Sequence, residues 1–379
     1  MLIAVNTRML LPGRLEGIGY FCKETVSRLV LQHPEHRFLF IFDRDFDQEF
    51  IFSENVTGIR AGLPARHPIL WHLWYEHALP AVFKKWKPDL FVSPDGYVSL
   101  RSSVPTLDVI HDINFEHYPK DLPFLIRNYY RHYFPKFAAR SERIVTVSEF
   151  SKTDISTKYV IHPDKIDVVY NGVNEGFQPI SDEKATRIRQ RWTQGRPYFL
   201  FIGSIHQRKN IVNHIKAFDR FKEKATSDLQ LVFAGANRWW TDDMQRTLEA
   251  SPNKTQIHFT GRVSEHDLHD ITGAAFAVTY VSTFEGFGIP ILEGMRSGVP
   301  VLTAEVTSMP EISADAALTV NPFDAEAIAV GMLKLFSDER LRISLTEKGL
   351  KRSRSFTWEK TAAGLWDCIE RTIASAKKH

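Results

Sequence analysis

The chain has 379 residues, with 48 Lys or Arg against 45 Asp or Glu and with 43% hydrophobic and 12% aromatic residues. That length suits two domains of about 150 to 200 residues each. The near balance of charge lacks the basic excess of a nucleic-acid binder, and no apolar run approaches the ~20 residues of a membrane span.

Met1 is followed at once by Leu2-Ile3-Ala4-Val5, a first strand rather than the charged segment, apolar stretch and cleavage site of a leader. Cys22 and Cys368 lie in amphipathic helical patterns without CxxC or Cys/His ligand spacing, as in a reducing compartment. A cytoplasmic protein is expected. Short apolar runs then alternate with longer amphipathic ones: Phe38 to Phe42, Leu90 to Val92, Leu107 to Ile110, Ile144 to Val147 and Asp167 to Val169. The pattern restarts at Tyr198 to Gly203 and continues through Leu229 to Ala234, Gln256 to Phe259, Phe276 to Tyr280, Val299 to Thr303 and Ala317 to Val320. Such alternation predicts parallel sheet, so the expected fold is α/β with two Rossmann-like, doubly wound units. The first covers 1–172 and the second 173–355, joined near Asn171 to Ser181; the helical pattern over 356–379 is long enough to return to the first unit. Loops at strand carboxyl ends carry ligand-binding residues in such sheets, which puts the expected site in a cleft between the units.

Chemistry-bearing motifs follow in the same order. The first loop holds Gly13 and then Gly17-Ile18-Gly19-Tyr20, without the third glycine of a nicotinamide fingerprint, although Asp43 keeps that reading open. The aspartates of Asp43-Arg44-Asp45-Phe46-Asp47 have no second ligand cluster and read as a polar strand end, so no metal site is expected. Aromatics interleave with cations in Ile69 to Tyr75, leading to Lys84 to Lys87, and again in Phe124 to Lys136. Core packing explains aromatics first, with a peripheral membrane contact as the alternative. The strand Thr106 to Ile110 ends in His111-Asp112, and Ser148 caps the helix that follows the next strand. In the second unit Gly203-Ser204 opens a loop in which Arg208 and Lys209 precede a helix starting near Asn210, whose side chain is expected to cap it.

The run Val281 to Met295 is the most telling. After a buried strand, Gly286 and Gly288 free the backbone to turn, and Pro290 suits a first helical turn. Glu285 is then on the loop and Glu293 in the early helix, on either side of helix-start N–H groups that favour an anion. A diphosphate could lie there, with the carboxylates taking sugar hydroxyls.

The Glu-x7-Glu run, the Gly203-Ser204 to Asn210 segment, His111-Asp112 and the tandem layout together resemble the retaining GT-B glycosyltransferases of family 4, most of all bacterial mannosyltransferases. The resemblance implies that Glu285 contacts donor-sugar hydroxyls, Glu293 the ribose, and the backbone of Phe287, Gly288 and Ile289 the phosphates. It implies that Arg208 and Lys209 take the charge of the leaving diphosphate, that His111, with Asp112 beside it, stands next to the donor sugar, and that Gly17 and Gly19 reach toward the diphosphate. Gly203, Ser204 and Val263 complete the donor site. No cofactor or metal is implied. The implied partners are a nucleotide sugar, GDP-mannose or a UDP-hexose, and a saccharide or lipid-linked acceptor, with assembly of cell-surface polysaccharide as the setting. A nucleotide-sugar epimerase of the same fold and a catalytically silent sugar-nucleotide binding subunit remain as alternatives.

Overall fold

A computed structural model of the chain describes residues 1–377 except 14 and 238. The described residues divide into two compact units, one running from Met1 to Gly172 and resuming at Trp358, the other from Val173 to Thr357.

The first unit is built on β1 (Leu2–Asn6), β2 (Arg37–Phe42), β3 (Val56–Arg60), β4 (Leu90–Ser93), β5 (Thr106–Val109), β6 (Arg143–Thr146) and β7 (Ile166–Val168), in the order β3-β2-β1-β4-β5-β6-β7. Every pairing is parallel. Side chains leave a strand on alternate faces, and here both faces are covered. Ile3, Val5, Phe38, Phe40 and Phe42 enter one core, whereas Ala4, Leu39, Ile41 and Phe91 enter the other. Burial on both sides is why these strands read as unbroken apolar runs. The first core is closed by the helices Gly17–Gln32 and Trp358–Ala376, the latter burying Trp358, Ala362, Leu365, Cys368 and Ile369 along one stripe. Cys22 and Cys368 both lie in this core as free thiols.

The edge strand β3 was not anticipated. Its sequence, Val-Thr-Gly-Ile-Arg, has neither an apolar run nor clean alternation, and it forms because β2 offers a parallel partner. Gly58 is required there, since a Cβ would come within 2.6 Å of the Phe46 ring. The aromatic helices divide their duties: Trp71, Trp74, Tyr75, Tyr129, Phe134 and Phe137 are buried, while Ile69, Phe124 and Leu125 stay 59 to 66% exposed.

The second unit carries β8 (Tyr198–Ile202), β9 (Gln230–Ala234), β10 (Ile257–Gly261), β11 (Ala277–Tyr280), β12 (Val301–Ala304) and β13 (Leu318–Val320), all parallel, in the order β10-β9-β8-β11-β12-β13. Both sheets reverse strand order beside their first strand, between β1 and β4 and between β8 and β11. Connections on the two sides of that point diverge and open a crevice at the strand carboxyl ends. Among the described residues no helix is long and apolar enough to cross a membrane.

Candidate functional site

In the second unit the loops after β8 and β11 meet at the reversal point. Lys209 Nζ donates to Glu285 Oε1 at 2.6 Å and Arg208 Nη1 to Glu285 Oε2 at 2.8 Å. Lys209 also donates to the Tyr280 hydroxyl and stands 4.7 Å from that ring's centroid. Glu285 is 6% exposed. Burial alone would raise its pKa, but the two cations outweigh that and hold it at about 2. Glu285 is therefore an anion at any physiological pH, and the trio keeps a net single positive charge.

Backbone bonds bind the loops to each other. Thr283 N donates to Arg208 O at 2.8 Å, and Arg208 Nη1 to Phe284 O at 3.1 Å. The Asn210 side chain does not cap its helix, contrary to expectation. Asn210 has φ +64° and donates instead to Val281 O at 3.0 Å and Pro322 O at 2.7 Å. A left-handed backbone turns the amide away from the helix start, so it ties the β8 loop to β11. His206 has the capping role in the preceding short turn, its Nδ1 accepting from Arg208 N. Burial and the neighbouring cations push its pKa down to about 4, so it is neutral.

Gly288 has φ +101° and opens the helix Ile289–Arg296, to which no side chain contributes a cap among the described residues. Phe287 and Gly288 are buried and Ile289 half-buried at this turn. Glu293 lies one turn in. Its Oε2 is enclosed without a hydrogen-bond partner, and burial reinforced by Glu265 pushes its pKa up to about 8. The protein thus brings two carboxylates to one crevice with opposite protonation at neutral pH. Gly203 (φ +136°) is half-buried and Ser204 exposed, and Val263, after β10, is half-buried.

Several neighbours carry no sequence signal. Thr307, at φ +59°, accepts from Glu285 N at 3.3 Å, and Ser308 Oγ donates to the carbonyls of Glu285 and Phe287. Gly235 packs so tightly that a Cβ would stand 1.9 Å from Gly203 O. Tyr280 was read only as a strand residue. Close approach and a shared hydroxyl are properties of folded loops, and only the glycine in Ala234-Gly235-Ala236 hinted at one of them.

In the first unit His111 follows β5 and is half-buried. Its Nε2 is 2.9 Å from Pro94 O, and Phe21 meets the ring edge-on at 4.8 Å. Asp112 is taken up locally, its Oδ1 accepting from Asn114 N and Nδ2. Gly17 is exposed at the start of its helix, whereas a Cβ on Gly19 would come within 3.0 Å of Met9 O. Asp43 is enclosed and accepts from Arg44 and from Ala65 N. Asp45 pairs with Arg60, and Asp47 caps a short turn. Among the described residues no group of three or more His, Cys, Asp or Glu side chains assembles as a metal cage would.

Comparison with known proteins gives two family matches: "Glycosyltransferase Family 4" over residues 16–177 and "Glycosyl transferases group 1" over 182–352. The chain is 27% identical over 378 residues to the O-antigen chain mannosyltransferase B of Escherichia coli, spanning 96% of each. It is 28% identical over 276 residues to the O-antigen chain mannosyltransferase RfbU of Salmonella typhimurium, spanning 72% of each. A solved glycosyltransferase from Rickettsia africae superposes with a TM-score of 0.73 at 19% identity, over 98% of both chains, a likeness of fold.

Proposed function

As the chain belongs to the group 1 glycosyltransferases, with a family 4 N-terminal half and the paired parallel-sheet units of GT-B, we propose that it transfers mannose from GDP-mannose, with retention, to a saccharide or lipid-linked saccharide during synthesis of cell-surface polysaccharide. The mannosyltransferase relatives support the sugar and the setting. One observation carries the reading: Arg208, Lys209 and Glu285 converge beside the glycine-led helix Ile289–Arg296 at the reversal point of the second sheet.

In this reading the diphosphate lies against Arg208, Lys209 and the Phe287 to Ile289 backbone, near Gly203 and Ser204, with the base toward Val263. Glu293 takes the ribose hydroxyls and Glu285 those of the hexose, and His111 is taken to bind a hydroxyl of the same donor. The bond from the sugar's C1 to the phosphate oxygen breaks with its electron pair passing to the β-phosphate, whose charge the two cations stabilise. The acceptor oxygen bonds to C1 on the same face, and its proton goes to the departing phosphate. Side-chain cations supply the charge a metal would bring, so transfer is expected to persist in EDTA. Exposed Ile69 and Leu125 line a groove of about 650 Å³ with Arg131 and His132, which supports contact with an anionic membrane face by a protein working in the cytoplasm.

The test is incubation of purified protein with GDP-mannose, UDP-glucose and a membrane-derived acceptor, with quantification of free nucleoside diphosphate and the anomeric configuration of the product. GDP released only with acceptor and an α product from the α-linked donor are expected. A donor isomerised without acceptor, or inversion at C1, would overturn the proposal.

A further inference from the structure

The first unit holds an ion pair at its own reversal point. Arg8, just after β1, donates from Nε to Asp95 Oδ2 at 2.5 Å, Asp95 lying just after β4. Asp95 Oδ1 accepts from Asn6 Nδ2 at 2.9 Å and Ser93 Oγ at 3.2 Å, and the Tyr75 hydroxyl lies 3.3 Å away. The guanidinium also reaches Ala65 O and stacks 4.6 Å from the Tyr97 centroid. Arg8 is 9% exposed and Asp95 6%. A buried pair with this many partners costs much to assemble and holds a backbone segment in one geometry.

That segment carries the Pro94 carbonyl, the partner of His111 Nε2. A carbonyl only accepts, so Nε2 must carry the hydrogen. If the ring is neutral, Nδ1 is then a bare acceptor. We propose that Arg8 and Asp95 are positioning residues for His111: they fix the Pro94 carbonyl, hold the imidazole as its Nε2–H tautomer, and reserve Nδ1 to accept a hydrogen bond from a ligand hydroxyl. His111 on this account recognises a hydroxyl rather than standing as a cation beside the sugar. The ligand class rests on the donor-sugar reading above, whereas the tautomer does not.

Electrostatics point the same way. Burial lowers the His111 pKa, the Pro94 hydrogen bond opposes it, and the charges facing the ring are Asp112 from its own segment and Asp95 from the β4 loop, both raising it. The helix Gly17–Gln32 contributes the uncharged Phe21 ring. Arg8 neutralises Asp95 on the spot, and without it the Asp95 charge would act on the imidazole unopposed.

The experiment follows the imidazole of His111 by ¹⁵N-resolved NMR from pH 5 to 8.5, in the wild type and in Arg8→Met, Arg8→Lys and the charge-free double variant Arg8→Met with Asp95→Asn. The expected wild type is a neutral Nε2–H ring at pH 7. Arg8→Met should raise the midpoint by about one pH unit and move the acidic limb of the transfer rate with it. Arg8→Lys should recover most of that shift, and the double variant, which leaves no buried charge, should fold and titrate at or below the wild-type midpoint. Loss of the fixed tautomer should appear in the transfer rate as a lower kcat with KM for the donor changed less than twofold. A wild-type Nδ1–H tautomer, or an Arg8→Met midpoint no higher than that of the wild type, would overturn the inference. A confirmed tautomer together with full transfer by His111→Ala would instead count against the sugar-recognition role while leaving the lock intact.

Discussion

Lys209 Nζ and Glu285 Oε1 stand 2.6 Å apart across the gap between the β8 and β11 loops. Seventy-six positions separate them in the chain, yet Lys209 and Arg208 together hold the Glu285 carboxyl down at about 2. In the other unit Arg8 and Asp95 bridge β1 and β4 at the equivalent point. Each parallel sheet therefore pins its reversal point with a buried ion pair.

Glu285→Gln keeps the shape and removes the charge, leaving two cations facing each other. Transfer should fall by about 10²- to 10³-fold, the usual effect of losing one preorganised charge contact. The folded pKa of Glu285, about 2, lies below its ordinary 4.5, so its contribution to stability is present above pH 4.5 and lost as pH falls toward 2. Acid unfolding midpoints should show that loss in the wild type and not in the variant. Equal acid profiles would refute the assignment.

Glu293 behaves in the opposite sense. With its pKa raised from 4.5 to about 8, the folded state keeps a proton that the unfolded chain releases, so stability falls as pH rises from 4.5 to 8. Glu293→Gln should flatten that fall and melt higher than the wild type at pH 8. Ribose hydroxyls donating to the carboxylate would favour its anion, so binding of GDP at pH 7 should release up to one proton. Calorimetry in buffers of different ionisation heat reads this directly, and an enthalpy independent of buffer would speak against a ribose contact.

Two glycines make a paired test of backbone packing. Gly235→Ala places a Cβ 1.9 Å from Gly203 O, where only backbone can yield, and should cost about 3 kcal/mol or more. Gly17→Ala meets nothing within 4 Å and should change stability by less than about 1 kcal/mol. Thermal melts of both variants decide it, and a Gly235→Ala protein as stable as the wild type would contradict the loop geometry. Activity lost in a stable Gly17→Ala protein would show that the exposed loop works on a ligand rather than on the fold.

Phe124 and Leu125 are 65% and 59% exposed at the start of the helix Phe124–Arg140, with Arg127 5.4 Å from the Phe124 ring. If this surface docks on membranes, flotation with vesicles containing anionic lipid should recover the wild type at low salt. The double variant Phe124→Ser with Leu125→Ser should float several-fold less, because two of the exposed apolar side chains available for insertion are gone. Indifference of the wild type to anionic vesicles would remove membrane contact from the proposed function.

Patterns within a few residues were enough to reveal the parallel α/β class, twelve of the thirteen strands among the described residues, the Ser148 cap and the spacing of Glu285 and Glu293. Strands buried on both faces must be apolar throughout, and turns need glycine wherever φ is positive, so both are written locally. What the tertiary structure alone decided depends on which segments become neighbours. It created β3, which exists only as a partner of β2, and it diverted Asn210 from capping to cross-linking. It set Glu285 and Glu293 on opposite sides of neutrality and joined Arg8 to Asp95 across 87 positions. Charge, burial and hydrogen-bond partnership are properties of surroundings, and those surroundings are assembled from distant parts of the chain.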